Sequence, residues 1–303
     1  MNNPQFSITV NAFGLSDVGL VRTNNEDNFL FTQLGSGSIN SIPAESNSTA
    51  PWIFIVADGM GGGQAGEVAS QMATELVAEK FAVRVIQKNI SNHQGYVKAL
   101  TGAVEETNRT VFHEGQHKNE LKGMGTTLTA AAVCGKSVIF AQLGDSRAYL
   151  LRDSNITQMT KDQSLVAQMV AMGKLSPEEA KTHPRRNVIL QALGVQPRID
   201  VVISSAELSS GDRLVLCSDG LWGKVESEEI KELVERFPAQ TACESLVCLA
   251  NERGGEDNIT VVIASFTGDG LRTVAGSEIS DSRGTSQRRW WFWPWLRNAN
   301  SKR

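Results

Sequence analysis

The fold is decided by the stretch WIFIVADGMGGG, residues 52–63. Five consecutive apolar residues, Trp52 to Val56, predict a buried strand, and Asp58 predicts its end because aspartate disfavours strand structure. The glycines Gly61 to Gly63 let the backbone expose peptide groups before a predicted helix that opens near Glu67. A carboxylate at a strand end beside an exposed carbonyl suits a hard divalent cation. This stretch alone also fits an ordinary strand-turn-helix in which Asp58 only caps a turn.

The composition describes a globular protein with room for a large core. The chain has 303 residues, of which 41% are hydrophobic and 20% charged. These values predict one large domain or two small ones, and we expect a monomer. The first residues do not resemble a signal peptide, and no run approaches the ~20 apolar residues that span a bilayer, so we expect a cytoplasmic location. Single cysteines in apolar surroundings predict reduced, buried thiols at Cys134, Cys217, Cys243 and Cys248.

Charge is unevenly distributed along the chain. All six ionisable residues after Ser282 are Lys or Arg, so residues 1–281 carry a net charge of −10 against −4 for the whole chain. An acidic body argues against nucleic acid as a partner.

Acidic residues recur at the edges of predicted strands. Asp145 follows the apolar run 137–143, Asp219 follows 214–217, and Asp257 precedes 259–264. A polar loop between two further strands contains Glu26 and Asp27. Other predicted features are a single strand over 126–134, a hairpin turn at 135–136, helices over 64–82 and 95–118, short helices near 165–173 and 176–180, and a surface loop over 35–51.

These separate segments are able to bring several carboxylates to one end of a sheet structure. Clustered carboxylates repel one another and raise their own pKa values unless divalent cations neutralise them. An all-oxygen ligand set favours Mg²⁺ or Mn²⁺ over zinc, which prefers Cys and His. The pattern therefore predicts a Mn²⁺ or Mg²⁺ site.

Six ordered motifs resemble those of the metal-dependent type 2C serine/threonine phosphatases, specifically their bacterial branch. The motifs are Arg22-x-x-x-Glu26-Asp27, Asp58-Gly59-x-Gly61-Gly62, Gly123-Met124-Gly125-Thr126-Thr127, Gly144-Asp145-Ser146-Arg147, Ser218-Asp219-Gly220-Leu221-Trp222 and Asp257-Asn258. The resemblance covers about residues 12–266 and implies an α+β fold, a four-layer α-β-β-α sandwich of two antiparallel sheets flanked by antiparallel helices. It also implies a two-metal cleft, a catalytic domain over 1–266, and a mobile flap over about 164–195.

The resemblance implies a ligand set for two metal ions. Asp58 resembles the carboxylate shared by both ions. Asp219 and Asp257 resemble the ligands that complete the first site, and Glu26 and the carbonyl of Gly59 resemble those of the second. The implied reaction is hydrolysis of phosphoserine and phosphothreonine in proteins by a metal-activated water, reversing a bacterial Ser/Thr kinase.

Further roles are implied around those ions. Arg22 resembles the phosphate clamp, Asp27 the carboxylate that hydrogen-bonds metal-bound water, and Asp145 a ligand of a weaker third metal, to which Asn187 is a further candidate ligand. Met60 stands where animal members of the family place a histidine thought to protonate the leaving group. Methionine cannot donate a proton, so we expect water to do this here.

Two other functions are compatible with parts of the sequence. His113-Glu114-Gly115-Gln116-His117 is a literal match to the HExxH motif of zinc proteases, but helical periodicity turns both histidines away from the apolar side, and no third ligand is evident. A catalytically inactive phosphoprotein-binding module of the same fold is the second alternative. The presence of all five predicted metal-site carboxylates argues against it.

The C-terminal region departs from the composition of the body. Residues 267–287 predict a flexible linker, and residues 288–303 form a basic tail with four of the six tryptophans. Clustered Trp with flanking Arg suits a membrane surface or a docking groove on a partner protein.

Overall fold

The computed structural model describes residues 8–36, 39–40, 46–48, 50–61 and 64–273. The tail and residues 274–287 of the predicted linker lie outside these ranges. The strands are β1 (Ile8–Asp17), β2 (Asp27–Gln33), β3 (Ser46–Ser48), β4 (Trp52–Met60), β5 (Gly125–Thr126), β6 (Leu128–Cys134), β7 (Ser137–Leu143), β8 (Arg147–Arg152), β9 (Asn155–Gln158), β10 (Val202–Glu207), β11 (Ser209–Ser210), β12 (Arg213–Cys217), β13 (Ile259–Thr267) and β14 (Arg272–Thr273). The α-helices are α1 (Ala65–Gln87), α2 (His93–His117), α3 (Leu165–Ala171), α4 (Pro177–Thr182), α5 (Asp219–Trp222), α6 (Ser227–Arg236) and α7 (Ala239–Glu252), and a short 3-10 helix covers Asn119–Leu121.

Two antiparallel sheets form the centre of the molecule. One has the strand order β3-β1-β13-β12-β8-β9, and the other has the order β10-β7-β6-β4-β2 with β5 paired to the end of β4. One apolar cluster joins α1 and α2 to the second sheet, a middle cluster joins the two sheets, and a third joins α5, α6 and α7 to the first sheet. The predicted four-layer α-β-β-α sandwich is therefore confirmed.

The central strand β4 shows why its sequence is apolar on both faces. Ile53 and Ile55 contact the α1–α2 cluster, whereas Phe54 and Val56 belong to the cluster between the sheets. Successive side chains of a strand point to opposite faces, so a strand buried on both sides loses the polar alternation of a surface strand. By the same parity Asp58 continues the inter-sheet face, at the end of the layer between the two sheets.

Four details differ from the sequence predictions. β4 runs through Asp58 to Met60, because pairing with β5 continues the strand beyond the carboxylate. The strand predicted over 126–134 is divided into β5 and β6, and the predicted surface loop over 35–51 contains β3, paired with β1. Cys134, Cys217 and Cys243 are buried and unbonded as predicted, but Cys248 is an exposed free thiol because it lies on the outer face of α7.

No helix in the described ranges is long and apolar enough to cross a membrane. The longest, α1 and α2, bury one side against the second sheet, and their small buried residues allow close packing on it.

A buried ion pair fastens the end of β8 to the turn before β12. Arg152 donates to both carboxylate oxygens of Asp212 at 2.8 and 2.6 Å, and Asp212 also accepts the Ser209 N–H at 2.7 Å. The exposed fractions of the Arg152 and Asp212 side chains are only 8% and 1%.

Replacing Asp212 with alanine is expected to destabilise the protein by about 3–5 kcal/mol, because it leaves the buried Arg152 charge without its carboxylate partner. Urea denaturation of the purified variant measures this. Glu229→Ala is the matched control, since Glu229 forms a two-point pair with Arg253 near the surface and should shift the midpoint far less. Equal shifts in the two variants would contradict the role assigned to burial.

Candidate active site

Asp27 and Asp58 lie on neighbouring strands, at the same end of the inter-sheet layer. Asp27 is the first residue of β2, and Asp58 lies two residues before the end of β4. They are directly paired in the register of β2 and β4. The Asp27 carboxylate is buried and accepts a 2.6 Å hydrogen bond from the Ser218 hydroxyl. Like charges opposite one another across two strands destabilise a sheet, so this pair needs a compensating cation or proton.

Asp219 joins them from the first sheet. It is the first residue of α5, and the residue before it, Ser218, follows β12 and donates its hydroxyl hydrogen bond to Asp27 at 2.6 Å. The two sheets therefore contribute acidic groups to the same point.

Glu26 lies beside the start of α1. Its backbone carbonyl accepts the Gly59 N–H at 3.1 Å, and a Cβ placed on Gly66 would lie 2.8 Å from its Oε2. A Cβ on Gly59 would lie 2.5 Å from the Glu26 carbonyl oxygen and 2.5 Å from the Gly66 carbonyl carbon. Only glycine fits where these three backbones approach one another, which explains the Asp-Gly pair at the end of β4.

Arg22 and Asp257 form an ion pair at the more exposed edge of this cluster. The Arg22 Nη2 and Asp257 Oδ2 atoms are 2.8 Å apart, and about half of the Arg22 side chain is exposed. The hydrogen bond to Asp257 and its charge raise the pKa of Arg22.

Asn258 is a connecting residue whose role the sequence analysis missed. Its Oδ1 accepts the Glu26 N–H at 2.8 Å, and its Nδ2 donates to the carbonyl oxygens of Val18 and Asn24 at 3.0 Å each. One amide therefore holds the Arg22 loop, Glu26 and the Asp257 segment together. Its position directly after Asp257 in a quoted motif was the only available signal.

Arg147 is a second residue whose role the sequence analysis missed. Its guanidinium pairs with both oxygens of Asp162, with a shortest distance of 2.7 Å, and lies 3.7 Å from the ring centroid of Trp222. Because Arg147 follows Asp145 by two residues and Trp222 follows Asp219 by three, this stack ties the two acidic segments together.

Burial raises the pKa of every acidic group at the centre of the cluster. The pKa of Asp27 is raised to about 7 and that of Asp219 to about 6, in each case first by burial and then by neighbouring carboxylates. The same causes raise the pKa of Asp58 well above its ordinary value, and burial raises that of Glu26. The protein itself therefore supplies too little positive charge to compensate the ionised carboxylates of the cluster.

The two residues predicted for a third metal site are in different surroundings. Asp145 is buried in the turn after β7, its Oδ1 has no hydrogen-bond partner among the described residues, and burial and Asp219 raise its pKa to about 7. Asn187 lies in an exposed turn after α4, and no hydrogen bond or ion pair of the described residues joins it to Asp145. The contacts thus connect Asp145, but not Asn187, to the cluster.

The donor set fits divalent cations, although its side chains are engaged with other partners. As they stand, no three His, Cys, Asp or Glu side chains in the described ranges are arranged to hold a metal ion. Asp257 is paired with Arg22, and Asp27 accepts a hydrogen bond from the Ser218 hydroxyl. Uncompensated buried oxygens, including the partnerless Oδ1 of Asp145, are nevertheless the chemistry that Mg²⁺ and Mn²⁺ prefer.

The HExxH alternative lacks the parts of a zinc site. His113 and His117 lie on α2, and the exposed His117 is hydrogen-bonded through Nδ1 to the His113 carbonyl oxygen at 2.7 Å. Glu114 pairs with Lys118 instead of facing a metal position. These residues form a solvated helix end.

A two-sheet sandwich whose inner layer ends in buried carboxylates beside a half-exposed arginine has the chemistry of a metal-dependent phosphohydrolase. The profile described as protein phosphatase 2C matches residues 40–254. The chain belongs to the protein phosphatase 2C family.

Similar proteins are serine/threonine phosphatases by name, which agrees with this family assignment. The serine/threonine phosphatase stp of Listeria monocytogenes serotype 4b is 36% identical over 249 residues, which cover 82% of this chain and 92% of the relative. The Mycobacterium tuberculosis serine/threonine phosphatase PstP/Ppp, known from a crystal structure, has 35% sequence identity to this chain. The two structures superpose with a TM-score of 0.72 over 86% of this chain and 99% of that one. The catalytic domain of PstP, in a crystal structure with two manganese ions, has 33% sequence identity to this chain. Its TM-score is 0.70 over 86% of this chain and 99% of that domain.

The chain is therefore a metal-dependent protein serine/threonine phosphatase. The alternative of a catalytically inactive binding module is not favoured, since the similar proteins named above are phosphatases.

Proposed function

We propose that the cluster around Asp58 is the catalytic centre and that it binds two Mn²⁺ or Mg²⁺ ions through Glu26, Asp58, the Gly59 carbonyl, Asp219 and Asp257. The observation that carries this assignment is the burial of several acidic groups with raised pKa values at a single point. Arg22, the cation that acts on Asp219 and Glu26, is half exposed and already paired. The manganese-bound PstP catalytic domain supports the choice of metal.

When bound, a pair of divalent cations activates water for attack on phosphorus and neutralises phosphate charge. Asp145, with its partnerless buried oxygen, is the candidate ligand for a weaker third ion. Asn187 is the second candidate from the sequence, and it lies in an exposed turn without a bond to Asp145.

Arg22 holds the phosphate group of the substrate in this proposal. Its guanidinium is able to donate two parallel hydrogen bonds to phosphate oxygens, but it now spends one of its donors on Asp257. The half-exposed pair is weak, so a partner exchange costs little. If Asp257 served as a metal ligand, the Arg22 guanidinium would be free to bind the phosphate.

Asp27 orients the attacking water in this proposal. Its carboxylate is buried and fixed by the Ser218 hydroxyl at 2.6 Å, so it is held in one orientation to accept a hydrogen bond from that water. Met60, at the end of β4, cannot donate a proton, so we assign protonation of the leaving alkoxide to water.

The substrates in this proposal are phosphoserine and phosphothreonine proteins modified by a partner Ser/Thr kinase. The exposed Arg22 accommodates a side chain presented at a protein surface, and a monomer suffices because every proposed site residue comes from one chain. Residues 164–195, which contain α3 and α4, pair through Leu193 with Thr126, the last residue of β5. This pairing brings the proposed flap to the strand residue that lies opposite Gly59.

Hydrolysis of a phosphothreonine peptide and of p-nitrophenyl phosphate tests the proposed function. Both substrates should be hydrolysed with Mn²⁺ and not with a chelator. Arg22→Ala should lower kcat/KM by about ten- to a hundredfold, the value of one or two charge-assisted hydrogen bonds. Arg272→Ala, which removes an exposed and loosely paired arginine, is the control. Full activity in chelator, or in Arg22→Ala, would refute the assignment.

A further inference from the structure

Leu20 and Val21 are the most exposed large apolar side chains among the described residues. Their exposed fractions are 68% and 64%. Isolated apolar residues on a surface are ordinary, but these two are adjacent and directly precede Arg22. Neither belongs to any of the three apolar clusters of the fold.

The backbone that presents these side chains is held by hydrogen bonds on both sides. The Gly19 N–H donates to Asp17 Oδ1 at 2.8 Å, and the Leu20 N–H donates to the Gly255 carbonyl oxygen at 2.7 Å. The Val18 carbonyl oxygen accepts from Asn258 Nδ2 at 3.0 Å. The two apolar side chains are thus directed into solvent by an ordered backbone, and a preorganised surface binds at a lower entropy cost than a loose one.

This surface is part of the same unit as the proposed phosphate clamp. Gly19 has φ of +79°, and a Cβ there would lie 2.7 Å from the Gly255 carbonyl oxygen, so the loop packs closely on the segment that leads to Asp257. Arg22 closes the loop on Asp257 at 2.8 Å. Leu20 and Val21 directly precede Arg22, and neighbouring residues of an extended peptide are about 3.2–3.4 Å apart along the strand, so we infer that residues beside a phosphoresidue held by Arg22 come next to these two side chains.

The charged groups near Leu20 and Val21 are already engaged, so the loop can select a substrate side chain only by its hydrophobicity. In the proposed complex the Arg22 guanidinium is engaged by the phosphate, and the Asp17 carboxylate accepts hydrogen bonds from Gly19 and from Asn251. An apolar surface flanked by satisfied charges gains from covering an apolar side chain and offers nothing to a charged one.

We propose that Leu20 and Val21 form an apolar shelf that binds an apolar side chain next to the phosphoresidue of the substrate. The proposal rests on the proposed function, because it needs the phosphate to be held at Arg22. Contacts to a residue remote from the reacting phosphorus are the same in the ground state and the transition state, so the shelf lowers KM for such substrates and leaves kcat unchanged.

Two matched phosphothreonine peptides test the shelf, one with leucine and one with serine on both sides of the phosphoresidue. Wild-type protein with Mn²⁺ should show a kcat/KM about tenfold higher for the leucine peptide, with the difference in KM. The double variant Leu20→Ser/Val21→Ser should bring that ratio close to one. Both side chains are exposed, so the thermal midpoint should remain that of the wild type.

Ile86→Ser is the matched control. Ile86 is 62% exposed and lies at the other end of α1 from Gly66, about 30 Å of helix away from the cluster. This variant should keep the wild-type ratio. A wild-type ratio near one, or an unchanged ratio in the double variant, would overturn the shelf while p-nitrophenyl phosphate hydrolysis still stands. An unchanged ratio together with lost binding to phosphatidylserine vesicles would overturn it in favour of a lipid surface. Absence of hydrolysis of every substrate would refute the proposed function itself.

Discussion

Replacing Asp219 with asparagine is expected to lower phosphatase activity by about a hundredfold to a thousandfold while making the metal-free protein more stable. Asparagine has the shape of aspartate but no negative charge. A proposed ligand of the first metal ion would therefore lose its attraction for the cation, and the charge on the phosphate would no longer be neutralised from that side. Activity on p-nitrophenyl phosphate at saturating Mn²⁺ measures the loss.

The gain in stability follows from the cost of burying this charge. Burial first, and the charge of Asp257 second, raise the pKa of Asp219 from 3.8 to about 6. A change of this size corresponds to on the order of 1–3 kcal/mol of destabilisation near neutral pH, which the neutral amide avoids. Urea denaturation in chelator should show the variant unfolding at a higher urea concentration than the wild type.

Asp153→Asn is the control for both measurements. Asp153 lies in the turn between β8 and β9 with φ of +51°, a conformation that asparagine tolerates well, and it is exposed. It should change neither activity nor stability. Full activity in Asp219→Asn would exclude Asp219 as a ligand. A metal-free variant less stable than the wild type would show that the buried Asp219 carboxylate does not destabilise the protein.

The architecture of the fold was predictable because its strands are buried on two faces and its motifs are ordered. The run from Trp52 to Val56 indicated such a strand, and the recurrence of an apolar strand followed by Asp-Gly at Asp58 and Asp219 indicated that separate segments bring carboxylates to one end of a sheet structure. The number of layers came from the family resemblance. Periodicity reports which face of an element is buried but not which element covers it.

The end of β4 and the exposure of Cys248 were not predictable because each depends on a tertiary arrangement that the local sequence does not show. β4 continues past Asp58 because the two-residue strand β5 pairs with Gly59 and Met60, and this pairing depends on a segment more than sixty residues away in sequence. Cys248 lies among apolar residues in sequence, yet α7 turns it outward toward Glu252. Local composition cannot show the direction in which a helix presents one side chain.

The acidic residues of the site were predictable, whereas the residues that hold them were not. A carboxylate at a strand end is visible in sequence, but the three contacts of Asn258 join segments that are more than two hundred residues apart. The stack of Arg147 on Trp222 likewise depends on the side-by-side arrangement of β8 and β12. Such connecting residues become evident only when the tertiary contacts are known.

The stability of the metal-free protein is expected to fall as the pH rises from about 5 to about 7.5, and Mn²⁺ is expected to reverse this trend. Burial raises the pKa of Asp27 and of Asp145 to about 7 and that of Asp219 to about 6. In this range the folded state binds more protons than the unfolded state, whose carboxyl groups titrate near 4. Unfolding therefore becomes easier as those protons are lost, with a total effect of several kcal/mol over the cluster, on the order of 1.4 kcal/mol for each pKa unit.

Divalent cations bind the deprotonated carboxylates and compete with the same protons. The gain in stability on adding Mn²⁺ should be close to zero near pH 5 and should reach about 3 kcal/mol near pH 7.5 when the free ion exceeds its dissociation constant a hundredfold. Urea denaturation at the two pH values, with chelator or with Mn²⁺, measures all four stabilities. Asp219→Asn should show a smaller fall with pH in chelator and a smaller gain from Mn²⁺, since it removes one of the titrating ligands. If the metal-free protein were equally stable at both pH values, the carboxylates would be compensated within the protein. The physical reason for placing cations between the two sheets would then be lost.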